Sequence, residues 1–410
     1  MHLLFAALLA LSQMQQSQID ALVERLMRDR HVPGLSLGIA RRGTRAYLRG
    51  YGVRDVGRRL PADGYTIYRI GSITKQFTAA LILQDVAAGK ITLGDPVGRY
   101  LPATAGASGS ATIAQLLGQT SGIAAAGAPP AFDPGTGWQY DNANYLLLGM
   151  VLQSAGGVAY PTLLRERITA PFELVSTGLD VPPFASNVAL GYAWHGAWEE
   201  VPRNAGDADR TFGAAAMVSN VPDLLRWLED LRTGRVVPAP AFAMMAASGK
   251  LRNGILTHYG FGFFVPNWYG HRTIEHPGYV GGFSSEDALV LDDGLEVAVL
   301  ANRDAVDLTP LTESIVALLN PPRDPNSYAV ASRPPQNEDP RITTALSAIA
   351  QTSGFAAFGR LVSIEFVERS ARSGGTYDKY RMTFASGQWW ATVGYRESGA
   401  ILSLTLTPIE

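Results

Sequence analysis

A proline-rich segment after Asn320 limits how this chain folds, because it separates a long stretch of sequence from a short one. Between Asn320 and Arg341, six prolines stand among polar residues, at positions 321, 322, 325, 334, 335 and 340. Proline fixes φ and carries no backbone N–H, so such a stretch favours a linker over a helix or a central strand. A chain of 410 residues also exceeds what one core usually organises. We therefore predict a large domain over residues 18–320, a linker over 321–341 and a small domain over 342–410.

The small domain begins with a helical pattern and continues with strand patterns. Leu346, Ile349 and Ala350 have the spacing of one helix face. Apolar and polar residues then alternate over 380–384 and again over 402–406, as they do in half-buried strands. These patterns predict a small α+β domain, to which the sequence assigns no role.

Strand patterns lie near both ends of the large domain. Leu35–Ala40 and residues 45–51 flank Arg42-Gly43, which predicts a hairpin. Near the other end, a strand pattern over 295–300 follows Asp292-Asp-Gly294, a sequence that favours a hairpin turn. We therefore expect one antiparallel sheet built from both ends of the domain.

The middle of the large domain, from about residue 101 to 212, is helical and rich in loops. An apolar helix is predicted before it, over residues 76–88, with Gly89 at its C-terminal cap. A second helix is predicted over 144–155 and ends at Gly156-Gly157. The fold class expected for the large domain is α+β, an antiparallel sheet flanked by helices with a mostly α-helical subdomain.

The first twelve residues form an apolar run, Met1 to Ser12, with the length of a signal-peptide core and too short to span a bilayer. We expect residues 1–17 to be a signal peptide, and hence a periplasmic or secreted protein with no membrane span after its removal. The run lacks a preceding Lys or Arg, so a helix packed on the body of the protein remains the alternative.

Composition excludes several classes of function. The formal net charge is −2 and the arginines are scattered, which argues against a nucleic-acid partner. The chain has no Cys, so thiol catalysis and thiolate metal sites are excluded. No metal-binding spacing of His and carboxylates stands out either. We expect neither a metal nor another cofactor.

The segment Tyr68-Arg-Ile-Gly-Ser72-Ile-Thr-Lys75 places a hydroxyl and an amine three residues apart at the start of the apolar helix. Residues at this spacing share one helix face. Alone, the pair is more often a capping Ser and a solvated Lys. The chain, however, has 34 Lys and Arg, of which four are Lys and Lys75 is one. Because Arg does not deprotonate, this retained Lys fits a neutral amine that activates Ser72 as a nucleophile.

Tyr140 and Asn142 stand just before the second predicted helix. A packed aromatic and a capping Asn would explain them equally well. In the functional alternative, Lys75 lowers the pKa of Tyr140, which then acts as a shared base and acid, and Asn142 binds both Lys75 and substrate.

His276 and Gly278 lie in a strand pattern that leads into Gly281-Gly282. A lone His is usually structural. With Gly278 letting a substrate approach the strand closely, His276 would instead hydrogen-bond Tyr140 or the substrate.

The motifs Ser-x-x-Lys, Tyr-x-Asn and His-x-Gly occur here in one order, and in them the chain resembles the serine β-lactamase-related superfamily. That group includes class C β-lactamases, penicillin-binding proteins, D-aminopeptidases and esterases. Further segments that look like landmarks of the family span residues 32–37, 83–96, 117–123, 217–224 and 299–302. The resemblance covers roughly residues 18–320 and implies a β-lactamase/transpeptidase-like fold.

The resemblance also implies acyl transfer through an acyl-Ser72 intermediate, with Lys75 and Tyr140 as coupled base and acid. The oxyanion hole would be formed by the backbone N–H groups of Ser72 and Tyr279. Two positions depart from the family pattern: Gln119 replaces a common His, where we expect a loop-bracing role, and His276 replaces a Lys that would bind a β-lactam carboxylate.

Small esters and D-amino-acid peptides or amides are therefore the expected substrates. The alternatives are a β-lactamase, a D-Ala-D-Ala carboxypeptidase, or a catalytically silent module that binds cell-wall peptides or a protein. The loops over residues 124–134 and 184–209 are the expected walls of the substrate pocket.

Overall fold

The computed structural model describes the chain in ten segments. They span residues 11–102, 107–123, 130–181, 185–202, 211–321, 346–347, 361–372, 375–384, 387–395 and 401–409. Several predictions fall outside them: the first ten residues of the expected signal peptide, nearly all of the proline-rich linker, the helix beyond residue 347 and parts of both expected pocket loops.

The strands of these segments are numbered in chain order. They are β1 (Gly34–Arg41), β2 (Thr44–Asp55), β3 (Leu60–Pro61), β4 (Tyr68–Arg69), β5 (Tyr192–Trp194), β6 (Trp198–Glu200), β7 (Val218–Ser219), β8 (Asn267–Trp268), β9 (His271–Val280), β10 (Phe283–Val290), β11 (Leu295–Ala301), β12 (Leu361–Arg372), β13 (Gly375–Phe384), β14 (Gly387–Tyr395) and β15 (Ile401–Ile409).

The helices are numbered in the same way. They are α1 (Gln13–Arg30), α2 (Thr74–Ala87), α3 (Ile113–Leu117), α4 (Asn142–Gly156), α5 (Tyr160–Leu164), α6 (Val221–Arg232), α7 (Ala239–Met245) and α8 (Thr309–Leu319). Short 3₁₀ turns occupy Gly71–Ile73, Val97–Arg99 and Ala107–Ser110, and a π-helical turn occupies Arg165–Thr169.

A seven-stranded antiparallel sheet, in the order β3-β2-β1-β11-β10-β9-β8, forms the centre of the large domain. Strand β1 pairs with both β2 and β11, so the two ends of the domain meet in the middle of the sheet. The first hairpin turns through Arg42 and Gly43, both with positive φ, and Gly294 has positive φ in the turn before β11. The predicted α+β fold with an antiparallel sheet is confirmed.

Helices cover both faces of this sheet. On one face lies the core around α2, where the Phe77 ring stacks on Trp227 with centroids 4.0 Å apart. On the other face, Ile19 and Val23 of α1 and Ile315 of α8 are fully buried against the strands. Helix α2 therefore lies between the sheet and the helical part of the domain, which is the position from which it presents its first turn to β9.

Helix α1 begins at Gln13, before the apolar residues that recur at helical spacing from Ile19 to Leu26. Ser12 caps it, with its Oγ accepting a hydrogen bond from the Gln15 amide at 3.1 Å while the Gln15 side chain accepts from the Ser12 amide at 3.0 Å. The capping box extends the helix over polar residues that a search for apolar periodicity leaves out. At its other end His31 has positive φ and closes the helix two residues before Pro33.

The C-terminal strands form a four-stranded antiparallel meander, β12-β13-β14-β15. Tyr380, Met382 and Phe384 are buried on one face of β13 and pack near Ala391 and Val393 of β14. The alternation seen in the sequence over 380–384 therefore does mark a half-buried strand.

In the described segments, no helix by itself has the length and hydropathy needed to cross a bilayer, although the bent pair Asn142–Gly156 and Tyr160–Thr169 meets that test jointly.

Candidate active site

Ser72 lies in the 3₁₀ turn Gly71–Ile73 that leads into α2. The helix has Ile73 at its N-cap position with no side-chain hydrogen bond, so Ser72 does not act as the capping residue. Gly71 has φ +49°, and a Cβ at this position would lie 2.7 Å from the backbone nitrogen of Tyr279. The turn is therefore pressed against β9, and only a glycine fits there.

Lys75 is fully buried, which rules out a solvated first-turn residue. Its Nζ lies 3.0 Å from Ser72 Oγ, 2.6 Å from Asn142 Oδ1 and 3.0 Å from the backbone oxygen of Ala214. Burial lowers the pKa of Lys75 well below its ordinary value, and the nearby charge of Asp141 raises it again only in part. This shift favours the neutral amine that the sequence predicts.

A neutral amine has two N–H donors and one lone pair. Both carbonyl-type oxygens around Lys75, of Asn142 and Ala214, only accept hydrogen bonds. With both donors occupied, the lone pair of Nζ is left for the hydroxyl of Ser72. This arrangement lets Lys75 take a proton from Ser72.

Asn142 is free to bind Lys75 because its neighbour caps the helix. Asp141 is the N-cap of α4, and its Oδ1 accepts a hydrogen bond from the Ala143 amide at 2.8 Å. Asn142 is the first residue of the helix and directs its amide oxygen at Lys75. The capping role considered for Asn142 is therefore wrong.

Tyr140 lies beside both Ser72 and Lys75. Its hydroxyl lies near the Ser72 side chain, and its ring centroid lies 4.7 Å from Lys75 Nζ. Burial raises the pKa of Tyr140 above its ordinary value, and the nearby Ser72 hydroxyl offsets this rise only in part. The expected lowering by Lys75 is wrong, because burial neutralises the amine that would have stabilised a phenolate.

His276 is buried in the middle of β9. Its Nδ1 lies 2.6 Å from the Pro277 carbonyl oxygen, and its Nε2 lies 3.2 Å from the Tyr259 hydroxyl and 3.5 Å from the Tyr140 hydroxyl. Burial lowers the pKa of His276 to about 3. The ring is therefore neutral, and the predicted contact with Tyr140 is long.

Gly278 is required for a different reason from the one the sequence suggests. A Cβ here would lie 2.2 Å from the Ile70 oxygen and 2.2 Å from Ser285 Oγ. The close approach is that of the chain entering the Ser72 turn rather than that of a substrate. Gly278 thereby brings the backbone amide of Tyr279 against Gly71, next to Ser72.

Three groups of this site escaped sequence reasoning or were only partly recognised. The Ala214 carbonyl carries no side-chain signal, and Tyr259 lies outside the motifs. Gln119 was expected to brace a loop: its Oε1 accepts hydrogen bonds from the Asp141 amide at 3.0 Å and from Asn144 Nδ2 at 2.6 Å. Of the three groups, only Gln119 had a signal in the sequence, because it replaces the common His before Thr-Ser-Gly.

The described residues contain no group of three or more His, Cys, Asp or Glu side chains placed to hold a metal ion.

The Beta-lactamase family model matches residues 19–319, which is well over half of the chain. The chain belongs to this family. Its members are serine hydrolases, and the seven-stranded sheet with flanking helices is the β-lactamase/transpeptidase-like fold expected from the motifs.

The similarity to individual proteins is low at the level of sequence. Protein flp of Staphylococcus aureus (strain NCTC 8325 / PS 47) is 26% identical over 334 residues, covering 73% of this chain and 66% of its own length. The chain thus spans just under two thirds of that relative. A D-stereospecific amidohydrolase from Streptomyces sp. has a TM-score of 0.62 at 26% identity, with 72% of this chain and 97% of that chain covered.

An octameric penicillin-binding protein homologue from Pyrococcus abyssi is similar in fold over nearly the whole molecule. The TM-score is 0.66 at 22% identity, with 96% of each chain covered. The similarity in fold to the Pyrococcus abyssi protein therefore extends beyond residues 19–319, which the family model matches.

Proposed function

We propose that the protein is a serine hydrolase that acts by acyl transfer through an acyl-Ser72 intermediate. One observation carries the proposal: the buried Lys75 Nζ donates to two carbonyl oxygens and lies 3.0 Å from Ser72 Oγ, where a neutral amine has its lone pair left to accept the hydroxyl proton. An alcohol becomes an effective nucleophile when an adjacent base removes its proton. Lys75 provides such a base without a His or a metal.

The proposed reaction begins when Ser72 Oγ attacks the substrate carbonyl carbon and its proton moves to Lys75 Nζ. The negative charge that develops on the carbonyl oxygen is stabilised by the backbone N–H groups of Ser72 and Tyr279, each worth about 3 kcal/mol in comparable sites. The C–O or C–N bond then breaks, and the Tyr140 hydroxyl protonates the leaving group. The Lys75 ammonium returns a proton to Tyr140, which restores the neutral pair.

Hydrolysis of the acyl-enzyme follows the same path with water as the nucleophile. Lys75 accepts a proton from water as the oxygen attacks the acyl carbon, and Ser72 leaves with a proton returned by Lys75. Acid and base are coupled through Ser72 and Tyr140, so their protonation states change together.

The substrates we propose are small esters and D-amino-acid peptides or amides. A carboxylate next to the scissile bond would need a cation, and His276 occupies the corresponding strand position as a neutral ring. A β-lactam, which carries such a carboxylate, is therefore a poor substrate. The D-stereospecific amidohydrolase from Streptomyces sp. acts on the kind of bond proposed here.

Intact-mass spectrometry after treatment with a fluorophosphonate tests the nucleophile. We expect one adduct on the wild-type protein, none on Ser72→Ala, and an unchanged adduct on the control Ser314→Ala, whose serine lies on the exposed side of α8. A wild-type protein that remains unlabelled, or a Ser72→Ala protein that is still labelled, would show that the proposal is wrong.

The same measurement with a penicillin tests the substrate class. Because no cation faces the β-lactam carboxylate from position 276, we expect acylation by penicillin to be at least about 100-fold slower than by a neutral p-nitrophenyl ester. Comparable rates would identify the protein as a β-lactam-reactive enzyme instead.

We further propose that the protein is exported, on the strength of the apolar run at residues 1–12. The N-terminal sequence of the protein isolated from its native compartment tests this: export predicts a start near residue 18, and an intact Met1 in a cytoplasmic fraction contradicts it.

A further inference from the structure

We propose that Tyr259 is a positioning residue that occupies the lone pair of His276 and thereby leaves the Tyr140 hydroxyl directed at Ser72. The inference rests on the proposed function, since it assigns Tyr140 as the acid of that reaction. It concerns a side chain outside all three motifs of the site.

The backbone decides which nitrogen of His276 carries the proton. Nδ1 lies 2.6 Å from the Pro277 carbonyl oxygen, and a carbonyl only accepts hydrogen bonds, so Nδ1 must be the donor. In a neutral ring the other nitrogen, Nε2, is then a bare acceptor with one in-plane lone pair. His276 therefore offers neither an N–H nor a charge to the site.

Two hydroxyl groups compete for that single lone pair. Tyr259 Oη lies 3.2 Å from Nε2, and Tyr140 Oη lies 3.5 Å away. At 3.5 Å a hydrogen bond between these atoms is weak. Tyr259 is the closer donor, and its ring is fully buried.

The surroundings hold the Tyr259 ring in place. The Tyr259 ring lies edge-on to the Tyr140 ring, with centroids 6.0 Å apart, and edge-on to the Phe264 ring, with centroids 4.9 Å apart. The Phe264 ring is in turn stacked with the Tyr140 ring. The backbone oxygen of Tyr259 accepts a hydrogen bond from the Gly249 amide at 2.8 Å. The hydroxyl is thus fixed on His276 by packing on several sides.

The consequence concerns proton donation. With the lone pair of His276 occupied, the Tyr140 hydroxyl is not held by His276 and stays available on the Ser72 side of the site. When the acyl-enzyme forms, the same O–H is directed at the departing atom of the substrate, where a proton is needed. Without Tyr259, the O–H of Tyr140 would turn to Nε2 of His276 and its proton would be held away from the leaving group.

Tyr259→Phe removes one hydroxyl and keeps the ring, and leaving groups of different basicity give the test. A p-nitrophenolate leaves without protonation, whereas an alkoxide needs a proton. We expect kcat on an alkyl ester to fall about 10-fold or more and kcat on the p-nitrophenyl ester with the same acyl group to change less than about 2-fold. Equal losses on both esters would indicate a merely structural role and overturn the proposal.

Two further variants sharpen the result. Tyr160→Phe removes another fully buried tyrosine hydroxyl, bonded to Thr78 of α2 at 2.6 Å, and should leave both esters within about 2-fold of wild type. In His276→Met the competing lone pair is gone, so adding Tyr259→Phe should cost no further activity on the alkyl ester. A full additional loss in the double variant contradicts the proposal.

The ¹⁵N NMR spectrum of the histidines reads the same hydrogen bond without any turnover. The chain has six His, and comparison with His276→Met assigns the signals of interest. We expect a protonated Nδ1 and a bare, hydrogen-bonded Nε2 that does not titrate between pH 5 and pH 8, and an Nε2 shift on Tyr259→Phe. A protonated Nε2 overturns the proposal, whereas failure of fluorophosphonate labelling bears on the proposed function alone.

Discussion

Both faces of strands β9 and β10 bury titratable side chains, but only one of the two faces borders Ser72. Neighbouring residues on a strand point to opposite faces. Toward α2, Asp287 accepts a hydrogen bond from Gln76 at 2.7 Å, close to the Ser72 turn. Toward α8, Glu286 accepts one from Thr309 at 3.2 Å and is hydrogen-bonded to Glu275 of β9.

Burial without a counter-charge neutralises an ionisable group, whatever its type. On the α2 face this lowers the pKa values of Lys75 and His276, which favours a neutral base beside Ser72, and it raises the pKa of Asp287 to about 7. On the α8 face it adds protons: the pKa of Glu275 is raised to about 8, and the pKa of Glu286 is raised well above its ordinary value. The same physical cause thus supplies reactivity on one face and only a pH-dependent stability on the other.

The largest effect should come from keeping the Lys75 side chain charged. Lys75→Arg retains a cation but has no form that accepts a proton at neutral pH. We expect turnover of a p-nitrophenyl ester and the rate of fluorophosphonate labelling to fall by at least about 10³-fold. The matched control is Lys90→Arg, at an exposed lysine beside Asp85, which should keep full activity.

If Lys75→Arg retained most of the wild-type turnover, catalysis would not depend on a neutral amine at position 75, and burial would not explain the reactivity of the α2 face.

Gly278→Ala should give the next largest effect, because it disturbs the contact between β9 and the Ser72 turn. The new Cβ would lie 2.2 Å from the Ile70 carbonyl oxygen, so the turn must move away from the Tyr279 amide. A displacement of about 1 Å at a reacting group costs on the order of 100-fold in rate. We expect that loss in kcat for ester hydrolysis.

Gly94→Ala is the control for this prediction, because nothing lies within 4 Å of a Cβ there. A Gly278→Ala protein as active as the Gly94→Ala protein would mean that the turn and β9 need not touch.

Much of the backbone was predictable from the sequence because its signals are local. Arg42-Gly43 and Asp292-Asp-Gly294 gave the hairpin turns, and Gly157 closes α4 with a left-handed conformation where Gly156-Gly157 was expected to end it. The contact of Ser72 with Lys75 follows from helix geometry alone. Such features depend on residues a few positions apart.

The missed features are contacts between residues far apart in the chain. Tyr259 reaches His276 from a loop, and the Ala214 carbonyl reaches Lys75 across 139 positions, with no local pattern to mark either. The pKa of Tyr140 was mispredicted for the same reason, since its direction depends on burial that only the folded chain provides.

Asp287 gives a smaller effect, since it positions α2 without touching the reacting atoms. It receives a hydrogen bond from Gln76 Nε2, and Gln76 Oε1 in turn accepts one from Trp227 at 2.8 Å. Asp287→Leu should lower kcat about 10-fold with little change in KM, because Gln76 loses an acceptor next to Lys75. Asp287→Asn keeps an acceptor and should restore near-wild-type kcat.

Burial raises the pKa of Asp287 to about 7, so the neutral Asn also resembles the protonated side chain. Tyr160→Phe, which removes a buried hydroxyl bonded to Thr78 on the same helix, is the control and should leave kcat within about 2-fold. An Asp287→Asn protein as impaired as Asp287→Leu would show that the hydrogen bond to Gln76 is not what matters.

The smallest effect is on stability alone and tests the α8 face. Between about pH 4.5 and pH 8 the folded protein keeps protons on Glu275 and Glu286 that the unfolded chain has released. The free energy of unfolding therefore falls as pH rises through this range. Glu286→Gln lowers by one the number of protons that the folded state holds and the unfolded state has released, and it keeps a neutral side chain of the same shape. We expect the fall between pH 5 and pH 8 to be smaller than in the wild type, with ester turnover unchanged.

Urea unfolding at several pH values measures this slope, with Glu24→Gln, an exposed residue of α1, as the control that should follow the wild type. Lys75→Met should change the slope in the opposite sense. Unfolded chains keep the Lys75 proton up to about pH 10.5, whereas burial lowers the pKa of the folded side chain well below that value, so the wild-type residue makes stability rise with pH. Removing it should steepen the fall that Glu286→Gln makes shallower. If both variants shifted the slope the same way, burial would not be neutralising Glu286 on the α8 face and Lys75 beside Ser72.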